Sequence, residues 1–116
     1  MNEKMKETPI TLRYEDGRVY TLEFSRDTVK LTEESGFERN KVSNHEMTQV
    51  PLLFFGAFKM HHPEVTKEET DKILFEDLGG LSDALSSKLI ALYNEPYESL
   101  FNEEGKVKNP NLTVLL

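Results

Sequence analysis

The feature that most constrains this chain is one apolar run, residues 47–63 (MTQVPLLFFGAFKMHHP), set in an otherwise highly charged sequence. Read as a helix, Met47, Val50, Pro51 and Phe54 share a face at the i, i+3, i+4 and i+7 spacing, and Phe58 continues it. Leu53, Phe55 and Met60 fall on the flanks, so apolar residues cover nearly the whole circumference. Such a helix is stable only when covered on all sides, by its own core or by another chain. The fold must be arranged around this segment. In a chain of 116 residues the second kind of cover is a first pointer to protein binding.

Before this run, two short stretches alternate apolar with polar residues. Ile10, Leu12 and Tyr14 form one apolar series; Tyr20, Leu22 and Phe24 form the other. Between them lies Asp16-Gly17, where glycine supplies a positive φ without steric cost, and the pattern predicts a β-hairpin. A lone hairpin is marginal in water, so this one needs helices to lie on.

The helical signals follow. Ser25 or Asp27 can cap a first helix that stops at Gly36, with Phe37 turning back onto the core. Residues 38–44 read as a loop or short strand. Ser43 and Glu46 have capping-box spacing ahead of the apolar run. Pro51 would cost about 3 kcal/mol inside a helix, so the start is expected nearer Met47, or a kink at Pro51. Pro63 ends the helix at about His62. Thr66 and Glu69 form a second capping box, opening a helix through Ile73, Leu74 and Leu78 that stops at Gly79-Gly80. Ser82 or Asp83 caps the last helix, with Leu81, Leu85, Leu89 and Leu92 in one stripe. Pro96 is expected to break or restart it before Tyr97, Leu100 and Phe101. The expected architecture is α+β and mostly α, an N-terminal β-hairpin packed on a bundle of three to four helices. Residues 1–8 read as a flexible N-terminus, 9–101 as a single domain and 102–116 as a C-terminal tail with an apolar tip.

Composition narrows the function. The net charge of −7 disfavours binding to nucleic-acid phosphates or to anionic lipid, both of which want clustered Lys and Arg. The absence of cysteine removes disulfides and thiolate chemistry. The charged N-terminus lacks a secretion signal, and the longest apolar stretch is too short to span a bilayer. These features predict a cytoplasmic protein with no nucleic-acid or membrane partner.

A search for chemistry finds little. Adjacent histidines on a helix point about 100° apart, so His61 and His62 are poor joint metal ligands; they read instead as caps on the last carbonyls of the helix. The carboxylate pairs Glu68-Glu69 and Glu76-Asp77 read as solvated faces. Gly79-Gly80 lacks the Lys-Ser/Thr of a phosphate loop, and Ser86-Ser87-Lys88 has no third group or oxyanion pocket beside it. No catalytic residue, metal site or cofactor is expected. Two features suit partner binding: the apolar helix, through Phe54, Phe55 and Phe58, and the tip, through Leu112, Leu115 and Leu116. Each has a plainer reading, the first as the central helix of the bundle, the second as a final strand or an end that folds onto the core. An adhesive tip would seek a strand edge on a partner.

The order of these pieces resembles the small tail assembly chaperones of long-tailed phages and of prophages in Gram-positive bacteria. The hairpin 10–24, the helix opening at Ser25 and ending before Phe37, the helix 50–58 closed by His61-His62-Pro63, the capped acidic helix from Thr66, and Leu89 to Tyr93 with Tyr97, Leu100 and Phe101 carry the resemblance. It covers nearly the whole chain through hydrophobic pattern and turn residues. It implies a protein that escorts the tape measure protein while the tail tube polymerises and is absent from the mature virion. It also implies a frameshift-extended form in several such systems, whose extra domain engages the tail tube protein. The family brings no catalytic residues. Helix-in-groove contacts favour self-association, so a homo-oligomer is expected. Two other classes remain open: a small structural subunit of the phage particle, for tail or head completion, and an acidic inhibitor of a basic protein. Interleaved Lys67, Lys72 and Lys88 weaken the last.

Overall fold

The computed structural model describes residues 6–116. Strands β1 (Ile10–Arg13) and β2 (Val19–Leu22) form a two-stranded antiparallel hairpin with Ile10 opposite Leu22 and Leu12 opposite Tyr20. The turn is held by the Asp16 carboxylate, which accepts from the Arg18 amide at 3.0 Å, and Gly17 takes φ +97°. Four helices follow: α1 (Arg26–Glu34), α2 (Glu46–Phe58), α3 (Lys67–Lys72) and α4 (Asp83–Glu98). The protein is α+β and mostly α, as the pattern predicts.

Each helix begins where side-chain chemistry allows. Ser25 caps α1 in a capping box with Thr28; Thr66 caps α3 and Ser82 caps α4. The Thr66 box closes differently from expectation, its hydroxyl donating to Glu69 Oε1 at 3.1 Å. The Ser43–Glu46 box does not form. The residue before α2 is His45, without a side-chain cap, because a 3₁₀ turn at Arg39–Lys41 brings the His45 amide onto the Lys41 carbonyl at 2.8 Å. Pro51 lies within α2 without ending it. The bond it cannot make would have gone to Met47, and Met47 is 80% exposed, so the freed carbonyl lies in a turn that water reaches. Pro96 likewise does not break α4, which runs through it to Glu98. After α3 the chain widens into a π-helical turn at Ile73–Asp77. It closes through Leu78 N–H to the Ile73 carbonyl and Gly80 N–H to the Leu74 carbonyl, both 2.8 Å, with Gly79 and Gly80 at positive φ.

The core forms around α2. Leu53, Phe54, Ala57 and Phe58 are buried, packed with Leu22 and Phe24 of the hairpin segment, Ile73 and Leu74, and Leu89, Leu92 and Tyr93 of α4. Full burial of one such large apolar side chain contributes about 1.5–3 kcal/mol, so α2 supplies much of the stability. The outer edge of β2 is closed by the same helix. The Glu23 amide donates to the Ala57 carbonyl at 3.0 Å, using an acceptor left over at the helix end. The Thr21 amide donates to His62 Nε2 at 2.9 Å, and His61 Nε2 meets Glu23 Oε1 at 2.7 Å. The two histidines therefore fasten the strand to the helix rather than cap carbonyls.

The expectation of a flexible N-terminus over 1–8 falls on residues 1–5, which lie outside the described residues, and on 6–8. The Glu7 amide donates to Glu95 Oε2, and Lys88 Nζ reaches Glu7 Oε2, each at 2.7 Å, so this stretch lies along α4. Residues 102–116 form no helix or strand. Among the described residues no helix is long and apolar enough to cross a membrane.

Candidate functional site

Helix α4 presents two faces. Leu89 and Leu92 enter the core, whereas Ile90, Tyr93, Asn94 and Tyr97, at i, i+3, i+4 and i+7, line one side of an open cleft of about 720 Å³. The opposite wall is the end of α1 at Glu33, the turn after it, and Leu53 of α2. That wall is fixed by particular residues. Gly36 takes φ +108°, a conformation that suits glycine, and sends Phe37 inward. The buried Gln49 side chain then accepts from the Glu38 amide at 2.6 Å and donates to the Gly36 carbonyl at 3.5 Å.

Aromatic packing sets the floor and the rim. The Tyr93 ring meets Phe24 edge-on at 5.2 Å and Phe37 at 4.9 Å between centroids. Tyr97 stacks on Tyr93 at 6.3 Å and carries the Arg39 guanidinium 4.0 Å above its own ring, a cation–π contact that holds the rim. Burial, and next the nearby Glu33 carboxylate, push the Tyr93 hydroxyl up to about 12, with Arg39 opposing them. It stays protonated at neutral pH. Beside it, Asn94 Oδ1 is shut off from solvent with no hydrogen-bond partner. An unpaired buried acceptor costs about 1–3 kcal/mol.

The cleft thus offers an apolar, aromatic floor with the charged side chains of Glu33, Glu38 and Arg39 at its edge. A cavity of this size falls in the range of preformed ligand sites. Among the described residues no group of three or more His, Asp or Glu side chains is placed to hold a metal ion. A second, smaller hollow of about 230 Å³ lies between α2 and the π turn, edged by the exposed Met47 and Phe75.

The residues singled out in the sequence are not brought together here. Phe54 and Phe58 are 0% exposed, with ring centroids 5.1 Å apart; as partner-binding residues they are corrected to core, since they present no surface. Phe55 is half-buried beneath the Lys59 ammonium, 4.0 Å from its ring centroid, and lies outside the cleft. Leu112, Leu115 and Leu116 are exposed, and the final-strand reading of the tip does not hold. Sequence reasoning missed Ile90, Tyr93, Asn94 and Tyr97. Their helical spacing is visible in the sequence as a second stripe, but the leucines beside it carry the stronger signal.

No curated protein and no solved structure matches the chain. One family model does, over residues 3–116, and its description is domain of unknown function (DUF5055). That span takes in the hairpin, all four helices, both walls of the cleft and the C-terminal segment, so the chain belongs to the DUF5055 family.

Proposed function

We propose that this chain is a non-catalytic chaperone of phage tail assembly that binds segments of the tape measure protein in the α4 cleft. The observation that carries the reading is the cleft itself: fixed aromatic walls, open along one face, in an acidic chain. The order of hairpin and helices supports it through the resemblance to tail assembly chaperones. A tape measure protein is a long, largely helical chain whose apolar stripes are exposed until the tube encloses them. An acidic escort covers those stripes while its net charge of −7 keeps the complex dispersed. Repeated weak contacts along one long chain gain through multivalency. On this reading the protein acts in the cytoplasm of the bacterial host and is absent from the mature virion. A frameshift-extended form engages the tail tube protein.

The test is co-expression with the tape measure protein, followed by pull-down and a solubility assay, with the wild type beside Ile90→Glu. Ile90 is 38% exposed on the cleft wall, so the substitution places a charge in the cleft with little demand on the core. The expected result is a soluble complex with the wild type and little with the variant. A tape measure protein that stays insoluble and unbound, with this chain present in purified particles, would replace the reading by a structural subunit of the tail or head.

A further inference from the structure

The outer edge of β2 is closed by contacts that answer a proton in opposite ways. Thr21 and Glu23 send their amides away from β1, to His62 Nε2 at 2.9 Å and to the Ala57 carbonyl at 3.0 Å. A backbone N–H only donates, so His62 Nε2 accepts, the ring is neutral and its proton sits on Nδ1. An imidazolium carries N–H on both nitrogens and has no lone pair to offer. One added proton therefore sets a donor against a donor and leaves the Thr21 amide without its partner. At the preceding residue the same event does the reverse. His61 Nε2 lies 2.7 Å from Glu23 Oε1, and the other oxygen of that carboxylate is 3.9 Å from Lys6 Nζ. A proton on His61 turns this contact into a charge-assisted bond.

We propose that His61 and His62 form an acid-sensitive latch on the hairpin: as pH falls, protonation of His62 releases β2 at Thr21 while His61 holds it at Glu23. The groups around His62 leave nothing to offset a charge on its ring. From β2 it meets the Tyr20 ring edge-on at 5.1 Å, and from α2 the Phe58 ring at 6.4 Å. Behind Tyr20 stands Tyr14, which carries the Arg18 guanidinium and donates to Asp77. On its own turn the neighbours are His61, 6.4 Å away between ring centroids, with Lys59 over Phe55 and Glu64 exposed. Among the described residues no carboxylate lies in ion-pair range of His62, and Glu23 is engaged by His61 and Lys6. The stabilisation from the Thr21 bond is present where the ring is neutral. It is lost as pH falls below about 6.5, the ordinary midpoint of an imidazole. The bond from Glu23 to the Ala57 carbonyl does not titrate, so the strand loosens at Thr21 and keeps its anchor at Glu23. The freed amide then lies on a strand edge, where water or an added strand can take it. The latch needs no partner and is independent of the tape measure protein.

The experiment is NMR on the full chain from about pH 8 to about pH 5, a range that brackets imidazole titration. It reads the ring nitrogens of both histidines and the hydrogen exchange of the Thr21 amide. The Leu22 amide, on the side of β2 paired with Ile10, serves as the reference. At the upper pH the His62 proton is expected on Nδ1. As the ring becomes charged, Thr21 protection, corrected for the intrinsic rate, should fall about tenfold, the worth of one such hydrogen bond, while Leu22 keeps its own. His62→Gln keeps an acceptor that does not titrate and should hold Thr21 protection constant. His61→Gln removes the contact that a proton strengthens and should deepen the loss. The third histidine, His45, contacts Asn44 at the other end of α2 and is common to every variant. The wild-type titration stands by itself should a variant fold poorly. A proton on His62 Nε2 at the upper pH would overturn the proposal, as would a ring that stays neutral throughout or a Thr21 amide equally protected beside a charged ring. So would a His62→Gln protein as acid-sensitive as the wild type, or a His61→Gln protein no more so.

Discussion

Helix α2 crosses α1 at Gly56, where the absent side chain sets how closely they approach. A Cβ built at Gly56 would lie 2.2 Å from Thr32 Oγ1 and 3.0 Å from its Cγ2. Thr32 cannot easily yield. It is 0% exposed, its β-branched side chain has few rotamers, and its hydroxyl donates to the Thr28 carbonyl at 2.7 Å. Gly56→Ala must therefore part the helices or turn Thr32 off its bond. Overpacking of this kind costs about 1–3 kcal/mol, and the lost hydrogen bond adds about 1 kcal/mol. The better helix propensity of alanine returns about 1 kcal/mol. The expected net loss is about 2 kcal/mol, or roughly a 10 °C fall in Tm for a domain of this size. Urea unfolding followed by far-ultraviolet circular dichroism measures it, with the slope expected to stay constant. Thr32→Ala should relieve the clash, since only the residue-32 Cβ, at 3.1 Å, remains close. The double variant is then more stable than the sum of the singles by about 1–2 kcal/mol. A Gly56→Ala protein as stable as the wild type would refute the close approach and with it this account of how α1 is held.

The remaining predictions concern caps, the strand edge and titration. Ser25→Ala removes the α1 cap and should cost about 1 kcal/mol in chemical denaturation, whereas Ser43→Ala should stay within about 0.5 kcal/mol, because Ser43 caps nothing. His62→Ala leaves the Thr21 amide without its acceptor and removes the ring that packs 5.1 Å from Tyr20; a loss of about 1–2 kcal/mol is expected, and His62→Gln, which keeps an acceptor, should recover part of it. The Tyr93 and Tyr14 hydroxyls are both raised to about 12, each chiefly by burial, with Tyr14 also donating to Asp77 Oδ2 at 2.6 Å. A phenol raised above its usual 10 binds its proton more tightly when folded. Its stabilisation is complete below pH 10 and is lost as pH rises from 10 through 12, so thermal midpoints should fall over that window and fall less steeply in Tyr93→Phe.

Local chemistry was legible in the sequence, and long-range assembly was not. Asp16-Gly17 reports its hairpin because turn and strands are neighbours in the chain, and Ser25, Thr66 and Ser82 report their helices for the same reason. Ser43 misled because the chain after the 3₁₀ turn at Arg39–Lys41 stays in turns up to His45, so that His45 and not Ser43 precedes α2. Periodicity shows that Phe54 and Phe58 are covered, yet core and partner are the same apolar medium to a side chain. The cleft was illegible because Glu33, Leu53 and Tyr93 come from three helices, and only their packing makes a cavity between them. Gly56 was read merely as part of an apolar run, with nothing in its neighbours to announce Thr32 across the interface.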